Sequence, residues 1–591
     1  MNLILKFFST ILLISILVDC YGNWTSGQKY RYNWPDPSYT MLGKFKKAAI
    51  TTDNGLCSEI GRDILIKGGN AIDSGIAALF CLGITNPQSS GLGGGFIMTL
   101  YNKTTKSCRV IDARETAPIA STRDMYKGDE WLSKYGYKAI ATPGEIYGYW
   151  LSFTKYGSGK VSWKELILPS IDLARNGFPV SEYLGDVLKV KEAHFRKLPS
   201  MKKWLNSKTN KVYEMGDIIK RPELANTLEI IANSQDPVAL FYKGEIADIM
   251  IKEIQQNGGI LTKEDLLKYK PVEYDVPLIN DHFIDGLVLC GPPPPSSFTV
   301  TQLLVSILGK LYENSTSRNL DYLYNSPKFY HDFIEASKFA YAQRTLLGDV
   351  DFVPSSKFLS QNLTTKEYTD WVVSRFKDYA QESSYYGGIL QKQKEDHGTS
   401  HVSCMDSDGN GVSATSTINR WFGAVEQSSL GFLYNDEMDD FSTPGEVNGF
   451  GFAPSETNFI EPGKRPMSSM SPMVIYNKVT GDLKMVIGAS GGSKIISAMA
   501  KPIVRNLIFG ETIKQAIDAP TLHNQFTPDV TQFEKPVPEE LRKDLEEMYG
   551  QKFKPTPGFE GIVQAIVVED DGYVYANGDY RRKSMQHPEG L

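Results

Sequence analysis

"KEDHGTSHVSCMDSDGNGVSATSTINRWFG", residues 394–423, sets a Gly-Thr pair between two of the chain's seven histidines. Two short alternating runs flank Asp408-Gly409, a dipeptide favoured in two-residue hairpin turns. The spacing predicts a hairpin of residues 399–405 against 411–417. Opposed positions then sum to about 817, so Thr399 faces position 418 to within one residue, bracketed by Thr417 and Asn419. Side chains so opposed lie ~5 Å apart, near enough to act on one centre.

A threonine hydroxyl is a poor nucleophile until a base removes its proton, and the residue's own α-amine can do so once it is a chain terminus. That amine titrates near 7.7–8.0, about the right range for a base at neutral pH. The chain must then be cut between Gly398 and Thr399. Glycine suits the cut, since it admits backbone geometries that let the Thr399 hydroxyl reach the preceding carbonyl. Taken alone, Gly-Thr is commonplace and Thr opens many ordinary strands, so the surrounding sequence has to carry the reading.

The chain has 591 residues, 41% of them hydrophobic, a net charge of -6 and no Lys/Arg block. The length allows roughly three or four ordinary domains, and the charge argues against a nucleic-acid or polybasic membrane surface. Residues 1–20 read as a signal peptide, with Lys6 and a short apolar run from Phe7 to Val18; a retained type II membrane anchor is the alternative. Secretion agrees with sequons at Asn23, Asn102, Asn314 and Asn362. Beyond Cys20 stand Cys57, Cys81, Cys108, Cys290 and Cys404, an odd set without a CxxC, so at least one thiol is unpaired. Cys404, inside a predicted strand, reads as a small core residue.

Helical periodicity appears near 57–69, where Gly68-Gly69 is the stop, and near 70–82, 163–175, 245–256, 301–312, 329–343 and 493–509. A polar, aperiodic stretch starts near 376. After it, strand-turn-strand units centre on Asp408-Gly409, Gly481-Asp482 and Asp571-Gly572. Residues 399–591 thus read as a β-layer packed with helices, joined to the preceding part by a flexible segment.

The segment from Thr399 to Gly423 resembles the signature of the gamma-glutamyltransferases (gamma-glutamyl transpeptidases), of the N-terminal-nucleophile hydrolase superfamily, departing at Cys404. So, in order, do "GGNAIDSGIAA", "SGLGGGFIM", "DARETAP", "TPGEIYGYW", "GGILTKEDL", "PPPPSS", "EASKFAYAQR", "NDEMDDFSTPG", "KRPMSSMSP" and "GASGG". The resemblance implies an α+β fold, a four-layer αββα sandwich built jointly by a large subunit, 21–398, and a small one, 399–591. It implies transfer of the gamma-glutamyl group of glutathione or a related donor, through an ester on Thr399, to an amino acid, a dipeptide or water. Arg114, Ser468 and Ser469 would hold the donor's α-carboxylate; Asn419, Glu437 and Asp440 its ammonium. Thr417 would orient Thr399, and Gly491 and Gly492 would supply an oxyanion hole. A Cys57–Cys81 disulfide is implied too, with no metal and no cofactor.

Two rivals remain. "GASGG" fits the G-x-S-x-G elbow of an α/β-hydrolase, with Ser490 as nucleophile and His523 or His587 as base. A catalytically inactive, secreted homologue acting as a binding protein is the other. "DSDGNG" opens like a calcium loop but has Thr417 where that loop needs Glu, and reads as a turn. His397 and His401 lack the Glu of a zinc protease motif. "GLGGGF" lacks the last glycine of a dinucleotide fingerprint and reads as a tight backbone approach.

Overall fold

Ser400–Met405 and Gly411–Thr417 pair antiparallel, with Ser400 opposite Ser416. The register places Thr399 level with Thr417, one position from the predicted partner. Asp406 closes the turn by accepting from the backbone of Asp408 and Asn410 and from the Asn410 amide. Its other oxygen takes the amide of Ala71 at the start of a helix, so "DSDGNG" is a hairpin turn held by its own aspartate.

This hairpin is the middle of a larger sheet in a computed structural model that describes residues 30–313, 319–390, 398–445, 454–556, 558 and 561–591. In chain order the strands of its two main sheets are β1 Gly43–Phe45, β2 Ala49–Thr52, β3 Gly95–Asn102, β4 Ser107–Ala113, β5 Val272–Tyr274, β6 Leu278–Asn280 and β7 Leu287–Gly291. They continue as β8 Ser400–Met405, β9 Gly411–Thr417, β10 Met473–Asn477, β11 Leu483–Ser490, β12 Ile562–Val568, β13 Val574–Gly578 and β14 Glu589–Gly590. One sheet runs β14-β2-β8-β9-β3-β4-β5 and the other β1-β13-β12-β11-β10-β7-β6. Each takes strands from both sides of Gly398. Residues 399–591 therefore do not form a β-layer of their own: their strands interleave with those of the preceding part in both sheets.

Helices α1 Gly55–Ile66 and α2 Ala71–Thr85 cover the outer face of the first sheet, while α3 Phe298–Leu311 and α4 Ile495–Leu507 cover the second. The sequence alternation sorts the faces. On β8 and β9, Val402, Cys404, Val412 and Ala414 meet the helices, and His401, Ser403, Ser413 and Thr415 turn toward the other sheet. There the polar groups are paired: Ser403 and Ser413 donate to the carbonyls of Gln564 and Ile487, and His401 sits between the hydroxyls of Thr415 and Ser403. A Cβ on Gly488 would lie 2.0 Å from the His401 ring, so a glycine in β11 makes room for it. The result is an αββα sandwich, as the resemblance implies.

Cys57 and Cys81 form the implied disulfide between α1 and α2. A second bond joins Cys108 of β4 to Cys290 of β7, one in each sheet, a pairing for which the sequence had offered no partner. Cys404 is free and buried. Asn102 and Asn362 are exposed; Asn23, Asn314, His397 and the residue 1–20 segment lie outside the described residues. Among the described residues, no helix is long and apolar enough to cross a membrane.

Candidate active site

Thr399 stands at the start of β8, 5% exposed, with its hydroxyl directed at the carbonyl oxygen of Gly398. The Thr417 hydroxyl donates to that same oxygen at 2.8 Å and accepts from the Asn419 amide at 2.8 Å. Thr417 ends β9, where the chain turns sharply: Asn419 has φ +70°, a left-handed conformation asparagine tolerates better than most residues. A Cβ on Gly398 would lie 2.4 Å from the Asn419 carbonyl and 2.9 Å from that of Arg420. Close approach of this turn is therefore the reason for glycine at 398. Gly94 is needed likewise, its missing Cβ standing 2.0 Å from the Thr417 carbonyl, so "GLGGGF" is the backbone approach expected.

The turn leads to the charged part of the site. Asn419 donates its side-chain amide to the Asp436 carbonyl, and Glu437 and Asp440 follow on one short 3-10 turn. Arg114, at the end of β4 and fully buried, lies 2.5 Å from a carboxylate oxygen of each. Its remaining donors reach the carbonyls of Pro466 and Met467, next to Ser468 and Ser469. Ser469 in turn accepts from Arg344 at 3.1 Å.

Burial works to lower the Arg114 pKa, but Glu437, Asp440 and Glu115 around it hold the guanidinium charged and raise it above its usual range. Burial drives the neighbouring acids the other way. Glu115 is pushed up to about 8 and Glu437 well above the carboxylate range, against the pull of Arg114. Glu115 and Glu437, close together in a dry site, do not both ionise readily.

Beyond these, the structure brings in groups the sequence reading missed. Arg582 donates to the Thr399 carbonyl at 3.1 Å and lies 3.2 Å from Asp53, which is fully buried. Asp53 also accepts from Ser490 at 3.0 Å and from Gln564 at 2.9 Å. Ser490 is followed by Gly491 and Gly492, with φ of +116° and +57°, at the start of the turn that opens α4. One carboxylate thus ties the strand end before the two glycines to the arginine on the Thr399 backbone. Asp53 lies 346 positions from Thr399 in the chain, and only the pairing of β2 with β8 brings it there.

The elbow reading of Ser490 fails on the same contacts. Its hydroxyl partner is Asp53; His523 bonds Ser497 and Gln525, and His587 bonds Glu59 and the Met585 carbonyl. β11 is antiparallel to both neighbours, whereas an α/β-hydrolase elbow follows a strand of a parallel sheet. His401 is a core residue, its pKa lowered by burial to about 3.

The sequence profile of the gamma-glutamyltranspeptidase family matches residues 57–588. The chain belongs to that family. Among its relatives it is 39% identical over 549 residues to scoloptoxin SSD14 of Scolopendra dehaani, covering 92% of this chain and 93% of that one. It is 35% identical to the glutathione hydrolase proenzyme of Escherichia coli, covering 91% and 90%. A cephalosporin acylase of Bacillus halodurans shares the fold at 22% identity, with a TM-score of 0.79 over 96% of this chain and 99% of that one. The gamma-glutamyltranspeptidase of Helicobacter pylori is 31% identical, with a TM-score of 0.50 over 56% of this chain and 92% of that one. The sandwich is thus that of the N-terminal-nucleophile hydrolases, and the family is the one the motifs implied.

Proposed function

We propose that this gamma-glutamyltranspeptidase cleaves itself between Gly398 and Thr399 and then uses Thr399 to transfer gamma-glutamyl groups from glutathione and related donors. The observation that carries the reading is the Thr399 hydroxyl held against the Gly398 carbonyl, with Thr417 donating to the same oxygen. In the cut, the Thr399 oxygen bonds to the Gly398 carbonyl carbon while Thr417 stabilises the charge on its oxygen. The C–N bond breaks, the nitrogen takes the hydroxyl proton, and water hydrolyses the resulting ester. The products are a Gly398 carboxylate and a Thr399 α-amine, dividing the chain into a large subunit, 21–398, and a small one, 399–591.

In turnover the freed amine takes the Thr399 proton and the oxygen attacks the donor's γ-carbonyl. Arg114, Ser468 and Ser469 hold the α-carboxylate, while Asn419, Glu437 and Asp440 hold the ammonium. The zwitterion thereby enters an ion pair already built, each end replacing the other's protein partner. Gly491 and Gly492 offer amide donors to the tetrahedral oxygen, a contribution of ~3 kcal/mol per donor in comparable sites. The leaving amine takes the proton, and an amino acid, a dipeptide or water then attacks the ester. We further propose that residues 1–20 direct secretion and that Asn102 and Asn362 carry glycans.

Denaturing electrophoresis with N-terminal sequencing tests this. Two fragments, one starting at Thr399, together with turnover of a gamma-glutamyl anilide, are expected; Thr399→Ala should abolish both. An uncut, inactive native chain would instead make it a binding protein on the same fold.

A further inference from the structure

Glu59 on α1 meets His587 and Glu589, at and just before β14, beside the edge of the first sheet. The His587 Nε2 lies 3.1 Å from a Glu59 oxygen and 3.4 Å from a Glu589 oxygen. His587 and Glu589 are two apart on an extended segment and so share a face, the one that meets α1. The packing there is close: a Cβ on Gly55, the first residue of α1, would lie 2.4 Å from the imidazole and from the Met585 carbonyl.

The hydrogen bonds around these residues fix what each atom offers. A carbonyl only accepts, so the His587 Nδ1 carries a proton and donates it to Met585 at 3.0 Å. Its Nε2 is aimed between two carboxylate oxygens that are themselves acceptors only, and three electron-pair donors facing one another need a cation among them. Arg62 does not supply it, since its guanidinium bonds the other oxygen of Glu589, at 2.6 Å, and Asp63. Among the described residues Glu59 has no side-chain partner but His587. A ring N–H on a backbone carbonyl, and an arginine on the far oxygen of a carboxylate, are the outer contacts that orient metal ligands.

A proton on Nε2 is the rival cation. It points along one line, whereas His587 divides its Nε2 between two oxygens at nearly equal distances. A tetrahedral zinc ion sets neighbouring nitrogen and oxygen ligands about 3.4 Å apart, close to both spacings, and all three ligand atoms lie within 4.8 Å of one another. The Glu59, His587 and Glu589 side chains are 42%, 32% and 22% exposed, which leaves a side open for entry and for water as a further ligand. The imidazole directs the choice away from calcium and magnesium, which take oxygen ligands.

We propose that Glu59, His587 and Glu589 bind a divalent transition cation of the zinc class that ties β14 to α1. β14 pairs with β2 over only two residues, so a bound ion adds substantially to its hold. The same segment carries Arg582, the donor to the Thr399 carbonyl. Glu59 precedes Gly398 in the chain and the other two ligands follow it, so the ion also joins the two fragments of the proposed cut. Binding itself does not depend on that cut.

The test titrates the chelator-treated full chain with Zn2+ against a chromophoric indicator, and with Co2+, whose visible absorption reports its ligands. The native chain should take up one Zn2+ in competition with the indicator. His587→Asn and Glu59→Gln should each weaken uptake about 100-fold or more, since even the outer partners of a metal ligand are worth about 10–100-fold. Zn2+ should raise the urea midpoint of the native chain and leave that of His587→Asn unchanged. The two substitutions fall on different elements at partly exposed positions, so a shared loss of uptake with unchanged metal-free urea midpoints reports the site and not the fold. A native chain that takes up no Zn2+, or uptake that survives both substitutions, overturns the site and leaves a proton-bridged ion pair in its place.

Discussion

The Thr417 hydroxyl lies 2.8 Å from the carbonyl oxygen of Gly398 and accepts, on its other side, the amide of Asn419. That second bond fixes which way the hydroxyl proton points. In the proposed self-cleavage the group is set to meet charge on the Gly398 oxygen. Replacing it with valine, of similar shape, should slow self-cleavage about 100-fold or more, the usual effect of losing one such donor. Thr417→Ser should cleave at close to the native rate. A time course of fragment appearance on denaturing gels measures both.

Asp53 is paired with Arg582 in a fully buried setting. Asp53→Asn keeps the shape but leaves the guanidinium without its counter-charge, which should destabilise the fold by about 3–5 kcal/mol. Adding Arg582→Met should return part of that loss, because the uncompensated charge is then gone. Urea midpoints for the two single variants and the double variant check this; a double variant at the sum of the singles would dissolve the coupling.

Ser490 should prove supporting. Ser490→Ala removes one hydrogen bond to Asp53, which retains Gln564 and Arg582, so a stability loss of about 1 kcal/mol is expected. Anilide turnover should fall far less than in Thr399→Ala. Steady-state kinetics on both variants decides between the two oxygens.

The two disulfides close loops of unequal length, with separations of 24 for Cys57–Cys81 and 182 for Cys108–Cys290. Chain entropy then assigns the second about 5 kcal/mol against about 3.5 for the first. Replacing each pair by serines should lower the urea midpoint more for Cys108/Cys290, which also joins the two sheets.

Acid should weaken the fold through His401. Its pKa is about 3 in the fold, against about 6.5 in an unfolded chain. Between those values the unfolded chain takes up a proton that the folded chain refuses. Stability is therefore full above pH 6.5 and falls as the pH drops toward 3, by up to about 5 kcal/mol. His523, lowered to about 4, acts with the same sign. His401→Gln should flatten, without abolishing, the dependence of the urea midpoint on pH between 6.5 and 4.

Much of the site was legible because its parts are local. Asp408-Gly409 set the register of the hairpin, which brought Thr399 level with Thr417. The glycines before β3 read as a close backbone approach from their own stretch, whereas Asn419, Glu437 and Asp440 were picked out by the family resemblance. The second disulfide and the Asp53–Arg582 pair were not legible. An aspartate at the end of a strand and an arginine near the C-terminus look like ordinary surface charges until β2 and the turn after β13 bring them together beside the same threonine.

The alternation on β8 and β9 shows where the division falls. Periodicity of two marks strands with unlike faces, and the sequence carried that by itself, together with the turn and the register that sets Thr399 beside Thr417. It did not show that the polar face is buried against a second sheet. Serine, threonine and histidine look the same whether water or another strand satisfies them. Only tertiary packing, by removing the water and supplying carbonyls and hydroxyls in its place, decided that these residues form the interior and that distant charges converge on Thr399.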